Sequence, residues 1–294
     1  MEYRPGTMDM PYETALLAPP PSRLEVDAKT SPTRRHALAL RDITDGLKLW
    51  RLGATLGWLD IKLKYRGSVL GPFWLTISTG VMIAAMGTLY SVLFHMELHG
   101  YLPFLALSLV SWNAIGGLVG DACTTFTGAE GTIRATRMPF SVHAMRVVVR
   151  TGIQLAHNFP VILGVFAYFH TWPGLVALRA IPALGLWTVD AFAACFLLGA
   201  LCARFRDIPP IVGSIMQIAF FVTPIVWRPE QLGAKGWWLP LNPFDSLLEI
   251  VRAPMLGIHA GWHTYLYAIG YSAILVVGSA TMFARVRSRL AFWL

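Results

Sequence analysis

The sequence predicts an all-α membrane protein. It reads as six transmembrane helices, with an N-terminal amphipathic interface helix before them and re-entrant helices before the last span. The first observation is six apolar runs: Val69–Phe94, Tyr101–Cys123, Val147–Phe169, Leu175–Cys202, Pro210–Trp227 and Tyr265–Ala284. A helix needs about 20 mostly apolar residues to cross ~30 Å of hydrocarbon. The second is composition: 55% of the 294 residues are hydrophobic and only 14% charged, where a water-soluble domain carries about 25% charged residues. The third is where the charge falls. Of 24 Lys and Arg, only Arg179, Arg228, Lys235 and Arg252 lie on one side of the runs, and the other 20 lie opposite. Cytoplasmic loops hold the excess of basic residues, so both termini are expected in the cytoplasm. Topology accounts for the net charge of +8, and no nucleic-acid partner is expected.

Residues 1–40 are expected to be a disordered cytoplasmic tail, because Pro5, Pro11, Pro19, Pro20, Pro21 and Pro32 stand among few core-forming residues. They contain no apolar stretch of the kind a cleaved signal carries, so the first span is expected to act as the membrane signal. From Arg41 to Arg66 the pattern turns helical. Ile43, Leu47, Trp50, Ala54, Trp58, Ile61 and Tyr65 recur every three or four residues, and Lys48, Arg51, Thr55, Lys62 and Arg66 form a basic stripe. Such a helix lies on the membrane surface with Trp50 and Trp58 dipping in, or else packs on the rest of the protein. Gly46, Gly53 and Gly57 are expected to weaken it.

Residues 67–294 form the six-span domain. The first span follows a Gly71-Pro72 break. In the second, Gly116, Gly117 and Gly120 are expected to admit a close neighbour. The basic cytoplasmic loop 124–146 has room for one short helix after Gly128 and Gly131, with Ile133, Arg134, Arg137 and Met138 as an ordinary connection or a docking surface. A turn at Thr171–Gly174 joins the third and fourth spans. The outside segment 228–264 is unlike a plain loop: Asn242 and Pro243 suit a helix cap and first position. Phe244, Leu247, Leu248 and Val251 share one face of that helix, with Glu249 and Arg252 on another.

No phosphate-binding loop is present: only Lys29 precedes a Ser or Thr, and Ala28 stands before it where that motif needs Gly. The chain is therefore not an ATPase of that type by itself. Cys123, Cys195 and Cys202 show no paired spacing and read as small apolar residues. His259 and His263 are four apart, as interfacial histidines or as two ligands of a metal lacking a third; no metal is expected. Asp190, mid-span, is the costliest residue. Pairing of the third and fourth spans puts it at the depth of His157 and Asn158, where it is a polar lock or a proton relay. Phe73, Trp74, Tyr90, Trp112, Phe220 and Phe221 lie in spans, either for packing or as rings along which a sugar's C–H faces slide.

Several ordered motifs carry a family resemblance. Asp60-Ile-Lys-Leu-Lys-Tyr-Arg-Gly-Ser-Val-Leu-Gly-Pro-Phe-Trp-Leu75 resembles the entry to the first span in permease subunits of bacterial ABC polysaccharide exporters. Gly128-Ala-Glu-Gly131 with Arg137-Met-Pro139, Arg204-Phe-Arg-Asp-Ile-Pro209, Thr223-Pro-Ile-Val-Trp227, and Asn242-Pro243 through Glu249-Ile-Val-Arg-Ala-Pro-Met-Leu-Gly257 follow in the same order. The likeness runs from about Asp60 to the C-terminus.

That resemblance implies a non-catalytic permease of the bacterial inner membrane that dimerises and binds two copies of a separate ABC ATPase subunit. ATP and Mg would bind the partner, and this chain would hold no cofactor. The substrate implied is a lipid-linked polysaccharide of the O-antigen branch, carried on undecaprenyl diphosphate. A coupling helix falls within Ala129–Pro139, and re-entrant gate helices within Arg228–Trp262. Lys62, Lys64 and Arg66 either set topology or attract the carrier's diphosphate. Alternatives are an exporter of the same architecture for capsule, teichoic-type polymer, smaller lipid or drug, a proton-coupled carrier using Asp190, and a membrane enzyme built on Glu230, Asp245 and Glu249.

Overall fold

The computed structural model describes residues 32–71 and 73–294. The expected tail up to residue 31 and Pro72 of the Gly-Pro break lie outside the described residues. The described residues are helical with no strand. Helix α1, Pro32–Lys48, begins inside the stretch expected to be disordered, and α2, Trp50–Lys64, follows after a break at Leu49. The helix expected over 41–66, weakened by its glycines, is thus broken into two. The same glycines permit contact. A Cβ on Gly46 would lie 1.9 Å from Ser141 Oγ, one on Gly53 2.5 Å from Met145, and one on Gly57 2.7 Å from the Arg146 carbonyl oxygen. Gly53, Gly57 and Ile61 form the buried line of α2, while Trp50 and Trp58 are more than half exposed. Helix periodicity was legible in the sequence, but the packed face lies beside the tryptophan stripe, on the glycines.

Five helical segments are long and apolar enough to cross a bilayer. They are α3 (Phe73–Leu93), α4 (Leu98–Cys123), α6 (Phe140–Phe169), Gly174–Arg204, which comprises a 3-10 turn and α7 (Ala180–Arg204), and α10 (Trp262–Trp293). The fifth apolar run becomes only α8, Ile208–Val222, 15 residues and about 22 Å long. Pro224 disfavours helical backbone at the residue before it, and Thr223 is extended. Between α4 and α6 stand a 3-10 turn and α5, Glu130–Ala135. A 3-10 segment, Pro229–Leu241, leads into α9, Pro243–Met255.

Helix α4 is the axis of the fold: two thirds of its most apolar stretch is buried, and it packs on α3, α6, α7, α8 and α9. Helix α7 packs most extensively on α10, and α2 on α6. One apolar cluster, around Phe126, Val147, Cys195 and Phe283, joins α1, α4, α6, α7 and α10 at the α5 end. Another, around Tyr101, Leu105, Trp112, Phe166 and Leu248, fills the α9 end. The close approach expected at Gly116, Gly117 and Gly120 is not seen among the described residues: a Cβ on Gly116 would reach Met216 of α8 only at 4.0 Å, and one on Gly117 or Gly120 meets nothing within 4 Å. Tight positions lie elsewhere on the fold: a Cβ on Gly87 of α3 would lie 2.1 Å from Leu102 of α4, and one on Gly199 of α7 2.9 Å from the Phe126 ring. All three cysteines are free and buried.

Candidate functional site

At the α5 end, the helix anticipated in the loop 124–146 is α5. Ile133 packs against the apolar cluster there. Arg134 pairs with Glu130 at 2.9 Å on the surface, and Arg137 is exposed with Met138 half-buried beside it. An exposed i,i+4 pair of this kind contributes little stability; what it presents is a charged surface.

The next helix is held by charge. The first N–H groups of a helix have no partner within it. In α6 those of Phe140 and Ser141 donate to the Asp42 carboxylate of α1, at 3.3 and 3.1 Å. Ser141 Oγ donates to the Asp42 carbonyl at 2.6 Å, and Arg287 of α10 donates to the same carboxylate at 3.1 Å. Anionic charge at a helix N-terminus is favourable in itself.

One turn on, Arg146 grips Asp60 of α2 through two bonds of 2.6 and 2.5 Å. Arg150 bridges Asp60 at 3.1 Å and Asp121 of α4 at 3.0 Å. Two arginines at i,i+4 thus face two aspartates from different helices. These four residues were not singled out as a cluster from the sequence; the signal available was carboxylates at the margins of apolar runs, which need partners. Lys62, Lys64 and Arg66 are exposed, outside this cluster.

At the opposite end, Asn242 caps α9 by accepting from the Phe244 N–H at 3.0 Å, and its amide donates to Thr223 Oγ1 at 2.9 Å. Pro243 occupies the first helical position. Arg252 shares a face with Glu249, as the helical spacing suggested, and that face is turned inward at the arginine: its side chain is 1% exposed. It donates to Glu249 at 2.5 Å, to the Pro224 carbonyl at 2.5 Å and to Ser108 Oγ of α4 at 3.0 Å. Its guanidinium lies 4.4 Å from the centre of the Phe104 ring. Arg228 also reaches Phe104 and donates to the Gly100 carbonyl. Tyr101 donates to the Val226 carbonyl at 2.6 Å and Trp187 to that of Leu247 at 3.0 Å. The segment is pinned to α4 and α7. Burial pushes the Asp245 carboxyl from 3.8 up to about 6, with Arg252 pulling it down and Glu249 pushing it further up.

In the apolar middle, Asp190 does not meet His157 or Asn158. Its Oδ2 accepts from Ser272 of α10 at 2.8 Å, because α7 turns that face to α10 rather than α6. Its Oδ1 has no partner among the described residues and lines a cavity of about 280 Å³ with Thr151 and Trp187. His157 Nδ1 meets the Ile153 carbonyl at 2.8 Å, and its own carbonyl accepts from Thr76 at 2.5 Å.

The six aromatics do not form one row. Trp112 is buried between Phe220 and Phe244, at 6.0 and 5.4 Å. Phe221 is exposed beside Phe220, Tyr90 stacks on Phe94, and Phe73 and Trp74 are exposed at the start of α3. His259 meets Arg179, and no group of three metal-ligating side chains occurs among the described residues.

Comparison with known proteins adds a family. Residues 52–256 match the family described as ABC-2 type transporter. A relative from Klebsiella pneumoniae, an O-antigen export system permease protein, is 22% identical over 236 residues, covering 79% of this chain and 90% of the relative. One from Myxococcus xanthus, with the same description, is 23% identical over 197 residues, covering 66% and 76%.

Proposed function

The chain belongs to the ABC-2 type transporter family, and from that premise we propose that it is the membrane-spanning subunit of an ATP-driven exporter of O-antigen or a related lipid-linked polysaccharide. The observation that carries the reading is the family match across α2 to α9, joined by relatives described as O-antigen export permeases along most of both chains. The chain works in the inner membrane as a multi-pass protein with both termini cytoplasmic. Two copies associate with two ABC ATPase subunits, which bind ATP and Mg. The substrate is a polysaccharide on undecaprenyl diphosphate. Helix α8 and the residues that follow it make the sixth crossing.

In this reading the partner's closure pushes on α5 around Ile133, Arg134, Arg137 and Met138. The push cannot stay local. Residues 136–139 connect α5 directly to α6, whose first turn is tied by Asp42 to α1 and α10. Arg146 and Arg150 tie the second and third turns to α2 and α4. A rigid-body displacement of α6 therefore carries its neighbours with it, since packed cores shift between discrete arrangements rather than deforming smoothly. The re-entrant gate is the segment from Asn242 and Pro243 to Glu249 and Arg252. Helix α2 keeps an interfacial role through exposed Trp50 and Trp58. Lys62, Lys64 and Arg66 favour anionic head groups at the entry, and Phe73, Trp74, Tyr90, Phe220 and Phe221 are available to a channel.

The test is reconstitution in lipid discs with the ABC ATPase subunit from the same organism. Co-purification and hydrolysis stimulated by lipid-linked glycan are expected. Export from sealed vesicles by this chain alone would overturn the reading.

A further inference from the structure

A second cavity, of about 360 Å³, lies between α3, α4 and α6 at the end of α2. Its lining includes six side chains with hydrogen-bonding capacity: Lys64, Ser78, Thr79, Asn113, Gln154 and Asn158. Among the described residues no carboxylate lines it, and Lys64 is its one charged group. Asn158 is 5% exposed and its Oδ1 has no partner among the described residues. Aliphatic side chains such as Leu155 close the rest.

Depth follows from helix geometry. Met82 in the wall is nine residues past the start of α3, and Asn113 ten residues before the end of α4. At 1.5 Å per residue the cavity runs from the membrane surface at Lys64 to about 15 Å inside. Polar groups at that depth are costly unless they are satisfied, and this volume falls in the range of sites for small ligands.

We propose that this cavity binds a phosphate ester bearing a hydroxyl-rich head group. Amides of Asn113, Gln154 and Asn158 both donate and accept, as ring or glycerol hydroxyls require, while the Lys64 ammonium and the Thr79 hydroxyl suit a phosphate; the Ser78 hydroxyl donates to the Leu75 carbonyl at 3.0 Å and offers the ligand only a lone pair. A carboxylate in the wall would repel such a ligand, and none is there among the described residues. The proposal rests on the export reading for its ligand's source: the phosphate-linked sugar at the lipid end of the glycan. A glycerol-phosphate lipid carries the same chemistry.

The test uses the full chain with its ATPase subunit in lipid discs. Binding of a polyprenyl-diphosphate disaccharide and of phosphatidylglycerol is titrated by native mass spectrometry. Asn113→Leu and Gln154→Leu keep size while removing hydrogen bonds, and Gln154→Glu keeps polarity while adding a repelling charge. A loss of at least tenfold in affinity for the disaccharide in all three variants supports the site with the carrier as source. The same loss for phosphatidylglycerol alone supports it with membrane lipid as source. Binding of both probes unchanged in all variants, or of neither probe to the wild type, overturns the proposal. Co-purification and stimulated hydrolysis, read on the same wild-type sample, show separately whether the export reading stands.

Discussion

Replacing Arg252 by Ala removes the cation around which the α9 end is assembled. The guanidinium is almost wholly enclosed, contacts α4 through Ser108 and Phe104, and holds the Pro224 carbonyl. Breaking a buried pair by removing one partner costs about 3–5 kcal/mol, because the other charge is left uncompensated. Glu249 is one third exposed and can turn toward water, which favours the lower end of that range. Loss of the stacked Phe104 contact adds about 1 kcal/mol, and the Pro224 carbonyl loses its charged donor. The expected total is about 4 kcal/mol. Glu249→Gln takes the nearest counter-charge from the buried cation, but its amide oxygen still accepts and Asp245 stands 3.9 Å from Arg252, so it should cost about 2 kcal/mol, and Arg252→Lys should fall between them because an ammonium cannot span three partners as a planar fork does. Chemical unfolding of the purified chain in detergent measures the order. Hydrogen exchange over Pro243–Met255 localises the effect. If Arg252→Ala destabilises no more than Glu249→Gln, the arginine is not the tie and the reasoning fails.

Three further outcomes follow from the same structure. Gly57→Ala should cost about 1–3 kcal/mol, because its Cβ meets backbone at 2.7 Å, whereas Gly117→Ala, facing open space, should be near neutral; paired unfolding curves decide. Asp190→Asn should keep the Ser272 bond and leave export intact with stability changed by about 1 kcal/mol or less; abolished export with an intact fold would favour a proton relay. For Asp245 the folded protein binds the proton more tightly than the unfolded one, with a value raised to about 6. Its contribution is therefore favourable below about pH 4 and is lost as pH rises through 6, by up to ~3 kcal/mol. Asp245→Asn should flatten that slope in exchange measurements on α9, and an unchanged slope would refute it.

Hydropathy and charge bias fixed the all-helical membrane architecture, and family-like motifs pointed to export before any geometry. Those properties are written along one dimension, as run length, sign and order. The Asn242 cap was legible for the same reason, being local. Partners were not. Asp190 meets Ser272 rather than His157 or Asn158, Arg252 faces inward, and Asp42 caps a helix 98 residues away. The glycines of α1 and α2 are contacts as well as weak points, while Gly117 and Gly120, which looked like contacts, face open space among the described residues. Each depends on how a helix is rotated about its axis and which neighbour it meets. Rotation is set by the summed packing of several helices around α4, which no single stretch of sequence encodes.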